Sequence, residues 1–389
     1  GTMNLTEPRA GSDLAQIRTR AVPDGKHYRL FGQKIFITYG EHDFTSNIVH
    51  MVLARIDGAP PGVRGISLFI VPKFLVNPDG SLGERNDVKC ASIEHKLGIH
   101  ASPTCVMMYG EQQGAIGYIV GEPNRGLEYM FVMMNAARLS VGLEGYALAE
   151  RAFQQAADWA RTRVQGKPPA TAARIGRSAS MGTGTSPAPI IGHPDVKRML
   201  LTMKSYTEAM RATALYAAFQ LDVGAQHADE SVRTAAQARG DLLIPIVKGF
   251  STEMGVEIAS IGIQVHGGMG YIEETGAAQT LRDVRITTIY EGTTGIQSND
   301  LIGRKVGRDR GAAMFALLDD MTRELEALPA TAAASATTAA LTGVADLRAS
   351  TESLLQSLGS APDRAMAVSV PYLRLCGIVI GGWLLAKSA

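Results

Sequence analysis

The stretch Arg282-Asp283-Val284-Arg285-Ile286-Thr287-Thr288-Ile289-Tyr290-Glu291-Gly292-Thr293 passes from a helix-like run with two arginines to β-branched residues, then to Tyr-Glu-Gly-Thr. A carboxylate between an aromatic residue and a Gly-Thr turn stands at an element boundary. Its backbone is fixed while its tip can reach a ligand, which suits a general base. A glutamate in a first helical turn, favoured there by the helix dipole, accounts for the same pattern.

Four further segments have chemical potential. Leu5-Thr6-Glu7-Pro8-Arg9-Ala10-Gly11-Ser12-Asp13 offers small and turn-forming residues, free N–H groups and the hydroxyls of Thr6 and Ser12. It is also readable as a turn in which Ser12-Asp13 caps a local helix. Phe36-Ile37-Thr38-Tyr39-Gly40 ends a strand, and alternation places Phe36 and Thr38 on one face, where Thr38 can donate to a flat ligand. Gln264-Val265-His266-Gly267-Gly268-Met269-Gly270 is a helix C-cap or a backbone contact for phosphate or adenine. It is not the dinucleotide fingerprint, since no strand precedes it and the glycine spacing differs. Arg161-Thr162-Arg163-Val164-Gln165 places cations at a helix end, where they complement the dipole or grip a pyrophosphate.

The elements that must position these segments change character along the chain. Up to about Tyr118 the texture is β. Tyr28 to Thr38 reads as two strands with a turn at Gly32. Asn47 to Ala54, Ile66 to Val71 and Thr104 to Tyr109 are further apolar runs separated by turn residues. Helical spacing begins at Gly126, with Met130, Met134, Ala137 and Val141 as core, and continues to about Arg163. Gln165 to Gly192 is aperiodic and reads as a loop. Helices are predicted from Pro194 to about Val223 and from Glu230 to Ile261, the second kinked at Pro245. Ala330 to Ala340 reads as a linker, with two more helices over Val344–Leu358 and Val370–Ala386. The expected class is α+β, organised as a β domain over residues 1–120, a helical bundle carrying Glu291 over 121–329, a linker over 330–341 and an additional helical region over 342–389.

Composition narrows the function. At 389 residues, 46% hydrophobic and 19% charged, the chain has the make-up of a globular protein with room for a sizeable core. A net charge of +1 supplies no field to recruit nucleic acid or an anionic membrane. Cys90, Cys105 and Cys376 are too few and too dispersed for a disulfide framework or a metal site, so no metal is expected. The most apolar run, Cys376 to Ala386, is short for a membrane span and is expected as a buried helix. The default compartment is reducing.

Taken in order, Thr-Glu-Pro…Gly-Ser-Asp, Ile-Thr-x-Gly, the arginine-bearing helix, Gly-Gly-x-Gly and Ile-Tyr-Glu-Gly-Thr resemble the acyl-CoA dehydrogenase family over about Leu5 to Arg304. The insertion before Ile190-Ile191-Gly192-His193-Pro194-Asp195-Val196, and the sequence beyond the linker, resemble the large bacterial branch that includes 3-methylmercaptopropionyl-CoA dehydrogenases and related broad-chain enzymes, which implies either a short thioether acyl group or a medium to long fatty acyl chain as substrate. The resemblance implies a middle β-barrel domain followed by a C-terminal helical bundle with extra helices. The N-terminal helical domain of the family is expected to be absent.

It further implies FAD as cofactor. Leu5, Thr6 and Ser12 would face its isoalloxazine and pyrophosphate, with Ser12 also near substrate. Phe36 would take a tryptophan's place beside the flavin, and Thr38 would hydrogen-bond near flavin N5. Arg163, Gln165, Gln264, Gly267, Gly268 and Thr293 would touch the FAD of a neighbouring subunit, whereas Gly295 replaces a glutamine that contacts adenosine. Glu291 aligns with the catalytic base and Arg138 with the arginine near base and substrate. Tyr290 would line the acyl pocket, and Asn135 stands where some relatives carry an aspartate near CoA.

The implied reaction removes the α-proton of an acyl-CoA through Glu291 while the β-hydride passes to flavin N5, giving a trans-2-enoyl-CoA. Electron-transfer flavoprotein is the implied acceptor, a homodimer or tetramer the implied assembly and the bacterial cytoplasm the implied location. An acyl-CoA oxidase using dioxygen, a nitroalkane-oxidising relative and a non-catalytic scaffold are the alternatives. The last two fit poorly with the joint presence of Thr38, Arg138 and Glu291.

Overall fold

The computed structural model describes residues 1–167, 187–329 and 334–389. Most of the expected loop over Gln165 to Gly192, and the first residues of the expected linker, lie outside that set. The chain divides into two compact units, Gly1–Ala136 and Ala137–Ala389.

The first unit is built on a sheet that closes on itself. Strands β1 (Thr2–Asn4), β2 (Arg20–Asp24), β3 (His27–Thr38), β4 (Val49–Ile56), β5 (Ile66–Pro72), β6 (Phe74–Val76), β7 (Leu82–Arg85), β8 (Val88–Ile93), β9 (Thr104–Tyr109) and β10 (Ala115–Ile119) follow in order. β2 pairs with both β3 and β4, β4 with β5, β5 with β10, and β10 with β3. That circuit is a β-barrel, and β9 and β8 extend β3 to one side. The period of two places Val52, Ala54, Phe69 and Val71 in the core with Leu30 and Ala115. The opposite faces supply Leu53, Ile66 and Leu68 to a second cluster with Ile17, Met130 and Met134. β4 and β5 are therefore apolar on both faces, which is why their sequences read as continuous hydrophobic runs.

β3 corrects the expected turn at Gly32, because the strand is continuous from His27 to Thr38. Its irregularity lies further on, as a bulge between Lys34 and Ile37 with Phe36 at φ 60°. Lys34 and Ile37 both point inward, so the extra residue turns Phe36 and Thr38 to the exposed side.

The second unit is helical. α1 (Gly126–Thr162) begins in the first unit and continues into this one. It is followed by α2 (Pro194–Gln226), α3 (Glu230–His266), α4 (Ala277–Arg285), α5 (Thr294–Asp300), α6 (Ala312–Glu326), α7 (Ala334–Ser360), α8 (Pro362–Ala367) and α9 (Ser369–Ser388). Pro194 occupies the first turn of α2, where its missing N–H costs nothing, and the Asp229 side chain caps α3. α3 runs to His266, five residues beyond the expected end, and keeps Pro245 inside it.

The Ala/Thr tract corrects the expected linker, since it is helical from Ala334 onward. The last helices also share one core with the bundle, where Phe250, Met210, Leu347, Cys376, Ile380 and Trp383 belong to the same cluster. α9 has 20 residues, more than the short run expected, and is long and apolar enough to cross a membrane; 56% of its apolar window is buried inside the protein.

Candidate active site

The turn between α4 and α5 holds Glu291 in a conformation that side chains avoid. Glu291 has φ 53° and Gly292 φ 89°. A non-glycine residue in the left-handed region costs about 1–3 kcal/mol unless its surroundings over-determine it. Here the turn is tied from two sides. Lys248 of α3 donates from Nζ to the Gly292 carbonyl at 2.6 Å. Gln297 of α5 donates from Nε2 to the Glu291 carbonyl at 3.1 Å. Thr293 ends the turn as the N-cap of α5, its hydroxyl accepting from the Ile296 N–H at 3.2 Å.

Charged groups converge on this turn. Arg138 of α1 is buried and donates from Nη1 to Asp300 Oδ2 at 3.1 Å. The Tyr290 hydroxyl donates to Glu144 of α1, and the Thr294 hydroxyl to Glu253 of α3. Burial pushes the Glu291 carboxyl above the usual carboxylate range, while the charges of Arg138 and Lys248 pull the other way. Burial likewise raises Glu144, against the hydrogen bond from Tyr290 and the charge of Lys248. Lys248 is fully buried, and desolvation pushes it down to about 8 in spite of Glu291, Glu253 and Glu144 nearby. A partly desolvated carboxylate with cations beside it, on a rigid turn, can take a proton from a carbon acid.

A second feature of this unit gathers residues that the sequence points to separately. Arg163, Gln165, Gly267 and Gly268 line one open groove of about 460 Å³ with Trp159 and His266. His266 stacks on Trp159 with ring centroids 5.3 Å apart, and the Arg163 guanidinium lies 5.7 Å from the same indole. Gly267, at φ 65°, caps α3 through its N–H to the Gln264 carbonyl, so the capping reading of the Gly-Gly pair holds. Space also stands open beside both glycines. The buried Trp159 Nε1 has no hydrogen-bond partner among the described residues. An orphaned buried donor, an aromatic shelf, an exposed arginine and open backbone fit an aromatic, phosphate-bearing ligand such as a dinucleotide. Gln264 is exposed at the end of α3.

In the first unit, the Leu5–Ser12 segment is held against β3. The Thr6 carbonyl accepts from the Ile35 N–H at 2.9 Å, and the Leu5 carbonyl from Lys34 Nζ at 3.0 Å. Leu5 and Thr6 thus lie beside the bulge that exposes Phe36 and Thr38. Ser12 is exposed, and Asp13 caps a short 3-10 turn over Leu14–Gln16 by accepting from the Ala15 N–H. Asn135 is half-buried on α1.

Sequence reading missed Lys248, Gln297, Glu144, Glu253 and Asp300. Lys248 left a trace: it is the lone charge in the apolar run Leu242 to Phe250. The others are polar residues on helices with nothing in their spacing to set them apart.

Residues 2–111 match the acyl-CoA dehydrogenase middle domain, residues 124–179 and 180–306 the acyl-CoA dehydrogenase C-terminal domain, and residues 313–389 a family described as acetyl-CoA dehydrogenase C-terminal like. The chain is 51% identical to the 3-methylmercaptopropionyl-CoA dehydrogenase of Ruegeria pomeroyi, over 100% of this chain and 64% of that protein. Its fold is similar to that of Caenorhabditis elegans ACDH-11 in complex with C11-CoA, with a TM-score of 0.78 at 24% identity over 99% of this chain and 60% of that one. It is also similar to an acyl-CoA dehydrogenase complexed with FAD from Bacillus anthracis, with a TM-score of 0.76 at 22% identity over 100% and 62%. The chain thus spans less than two thirds of the length of these proteins, 60–64%. It belongs to the acyl-CoA dehydrogenase family.

Proposed function

We propose that the protein carrying this chain is an FAD-dependent acyl-CoA dehydrogenase in which Glu291 takes the α-proton. The observation that carries this reading is the Glu291 carboxylate itself. It is raised by burial, flanked by Arg138 and Lys248, and held on a strained turn braced at both carbonyls. A C–H beside a thioester is a very weak acid, and two effects bring it within reach of a carboxylate. Desolvation raises the basicity of Glu291. A hydrogen bond from the Glu291 backbone N–H to the thioester oxygen stabilises the negative charge that develops as the proton leaves. Tyr290, pinned through its hydroxyl to Glu144, forms part of the wall for the acyl chain.

FAD, when bound, supplies the acceptor for the β-hydride. Leu5, Thr6, Ser12, Phe36 and Thr38 would hold its flavin end, and Arg163, Gln165, Gly267 and Gly268 beside Trp159 and His266 would hold the adenosine end of the FAD of a neighbouring subunit. The protein is therefore a homo-oligomer, with electron-transfer flavoprotein as its electron acceptor. The identity with the Ruegeria protein favours a short thioether acyl chain as substrate.

The test is anaerobic mixing of the FAD-loaded protein with 3-methylmercaptopropionyl-CoA and with butyryl-CoA. Loss of the yellow flavin absorbance with formation of the enoyl-CoA is expected. No bleaching by any acyl-CoA of a wider panel, from a protein that retains FAD, would reject dehydrogenation. Rapid peroxide formation on admitting air would reject the dehydrogenase in favour of an oxidase.

A further inference from the structure

Lys248 is an unusual residue to bury. Its side chain is fully enclosed, yet among the described residues its hydrogen bond goes to a neutral carbonyl, that of Gly292, and not to any of the three carboxylates around it. A buried ammonium paired with a carboxylate is a common structural device; one spent on a peptide carbonyl is costly to keep. The carbonyl it selects belongs to the residue after Glu291, in the left-handed turn that aims the base. We propose that Lys248 is a positioning residue that clamps this turn and presents its positive charge to the Glu291 carboxylate. The inference rests on Glu291 being the base, as proposed above.

The surroundings separate the two roles. Gln297 also holds the turn, at the Glu291 carbonyl 3.1 Å away, and it is neutral. Hydrogen bonding alone could therefore be supplied without a charge. The groups that face Glu291 are Arg138 on α1, Lys248 on α3 and the neighbouring Tyr290. Arg138 is committed to Asp300 at 3.1 Å and shares its charge with that carboxylate. Lys248 faces Glu291, Glu253 and Glu144, with Arg138 as the opposing cation. Of the two cations it is the one whose hydrogen bond leaves its charge uncompensated by direct contact. With Lys248 neutralised, burial acts on Glu291 with only Arg138 opposing it, so the carboxyl titrates at higher pH. A larger share of the base is then protonated at a given pH, and activity is recovered as pH rises.

The experiment compares wild type with Lys248→Gln, which retains a donor for the Gly292 carbonyl without the charge, Lys248→Met, which removes both, and Lys248→Arg, which retains both. Two readouts are taken on the full-length FAD-loaded protein. One is the pH dependence of flavin bleaching by butyryl-CoA. The other, without substrate, is the 13C carboxyl titration of Glu291, assigned by the signal missing in Glu291→Gln. In Lys248→Gln, the Glu291 titration and the acid limb of the bleaching profile are expected to move up together by at least one pH unit, so that bleaching below the new limb falls about tenfold and is regained at higher pH. Lys248→Arg should restore much of the wild-type position. A pH-independent loss of rate with the Glu291 titration in place would overturn the proposal. Should Lys248→Met not fold, Lys248→Gln and Lys248→Arg decide it. Persistence of bleaching in Glu291→Gln would instead sink the base assignment, a result distinct from an unmoved titration in the Lys248 variants.

Discussion

The two units each bury a lysine beside a glutamate, and they use the pair in opposite ways. In the barrel, Lys34 donates to Glu7 Oε1 at 2.8 Å and to the Leu5 carbonyl at 3.0 Å. Glu7 also accepts from the Arg18 N–H, the Thr19 N–H and the Thr19 hydroxyl. Burial works against the Glu7 carboxylate, but Lys34 and these donors outweigh it and hold Glu7 below the ordinary range. In the bundle, Lys248 donates to a carbonyl, and Glu291 is left with nearby charge but no hydrogen bond to its carboxylate among the described residues. Burial therefore wins and Glu291 is raised. Both lysines are pushed down to about 8, so the lysines do not distinguish the sites. The carboxylates do. A saturated carboxylate builds structure, and an unsaturated one is available to react.

The largest stability effect should come from breaking the saturated pair. Glu7→Gln or Lys34→Met leaves a buried partner uncompensated, and a loss of about 3–5 kcal/mol in urea unfolding is expected. The pH dependence follows from the sign of the shift. Glu7 has a folded pKa below its unfolded value, so its contribution is complete above the unfolded value and is lost as pH falls through the folded one. The acid slope of stability should therefore flatten in Glu7→Gln. Glu291→Gln should not reproduce that flattening, because its folded pKa is raised and its ionised form is the one disfavoured by folding.

Gly292→Ala should have an intermediate effect. A Cβ there meets Gln297 Nε2 at 2.6 Å and the backbone stays at positive φ, so a stability loss of about 1–2 kcal/mol is expected in thermal unfolding, with a larger fractional loss of flavin bleaching. If activity fell no further than stability, the brace on the turn would matter only to folding. Arg374→Ala supplies the lower bound. Its carboxylate partner Glu257 is reached by two short hydrogen bonds, but both side chains are about half exposed, and a change of no more than about 1 kcal/mol is expected. A larger loss would show that contact geometry alone, without burial, separates strong pairs from weak ones here.

Much of the architecture was legible because it is written in periodicity. β4 and β5 stand out as continuous apolar runs, α1 and α2 carry buried residues at helical spacing, and Pro194 marks a start. The misreadings have local causes. Gly32 looked like a turn because glycine permits one, whereas the strand passes through it and breaks pattern at Phe36, where a bulge reverses the exposed face. The Ala/Thr tract looked like a linker because its own apolar content is slight, yet alanine is the best helix former and α7 begins there. At the site, Glu291 and Arg138 were legible through motif order. Lys248 and Gln297 were not, because holding a carbonyl requires no motif, only a side chain one helix away.

The measurement that bears most directly on the contrast is single-turnover flavin bleaching of FAD-loaded Glu291→Gln by butyryl-CoA, without oxygen. A rate lower by about 10²–10⁴-fold, with FAD still bound and the unfolding midpoint close to wild type, is the expected result. Bleaching at the wild-type rate would contradict the assignment of Glu291 as the base.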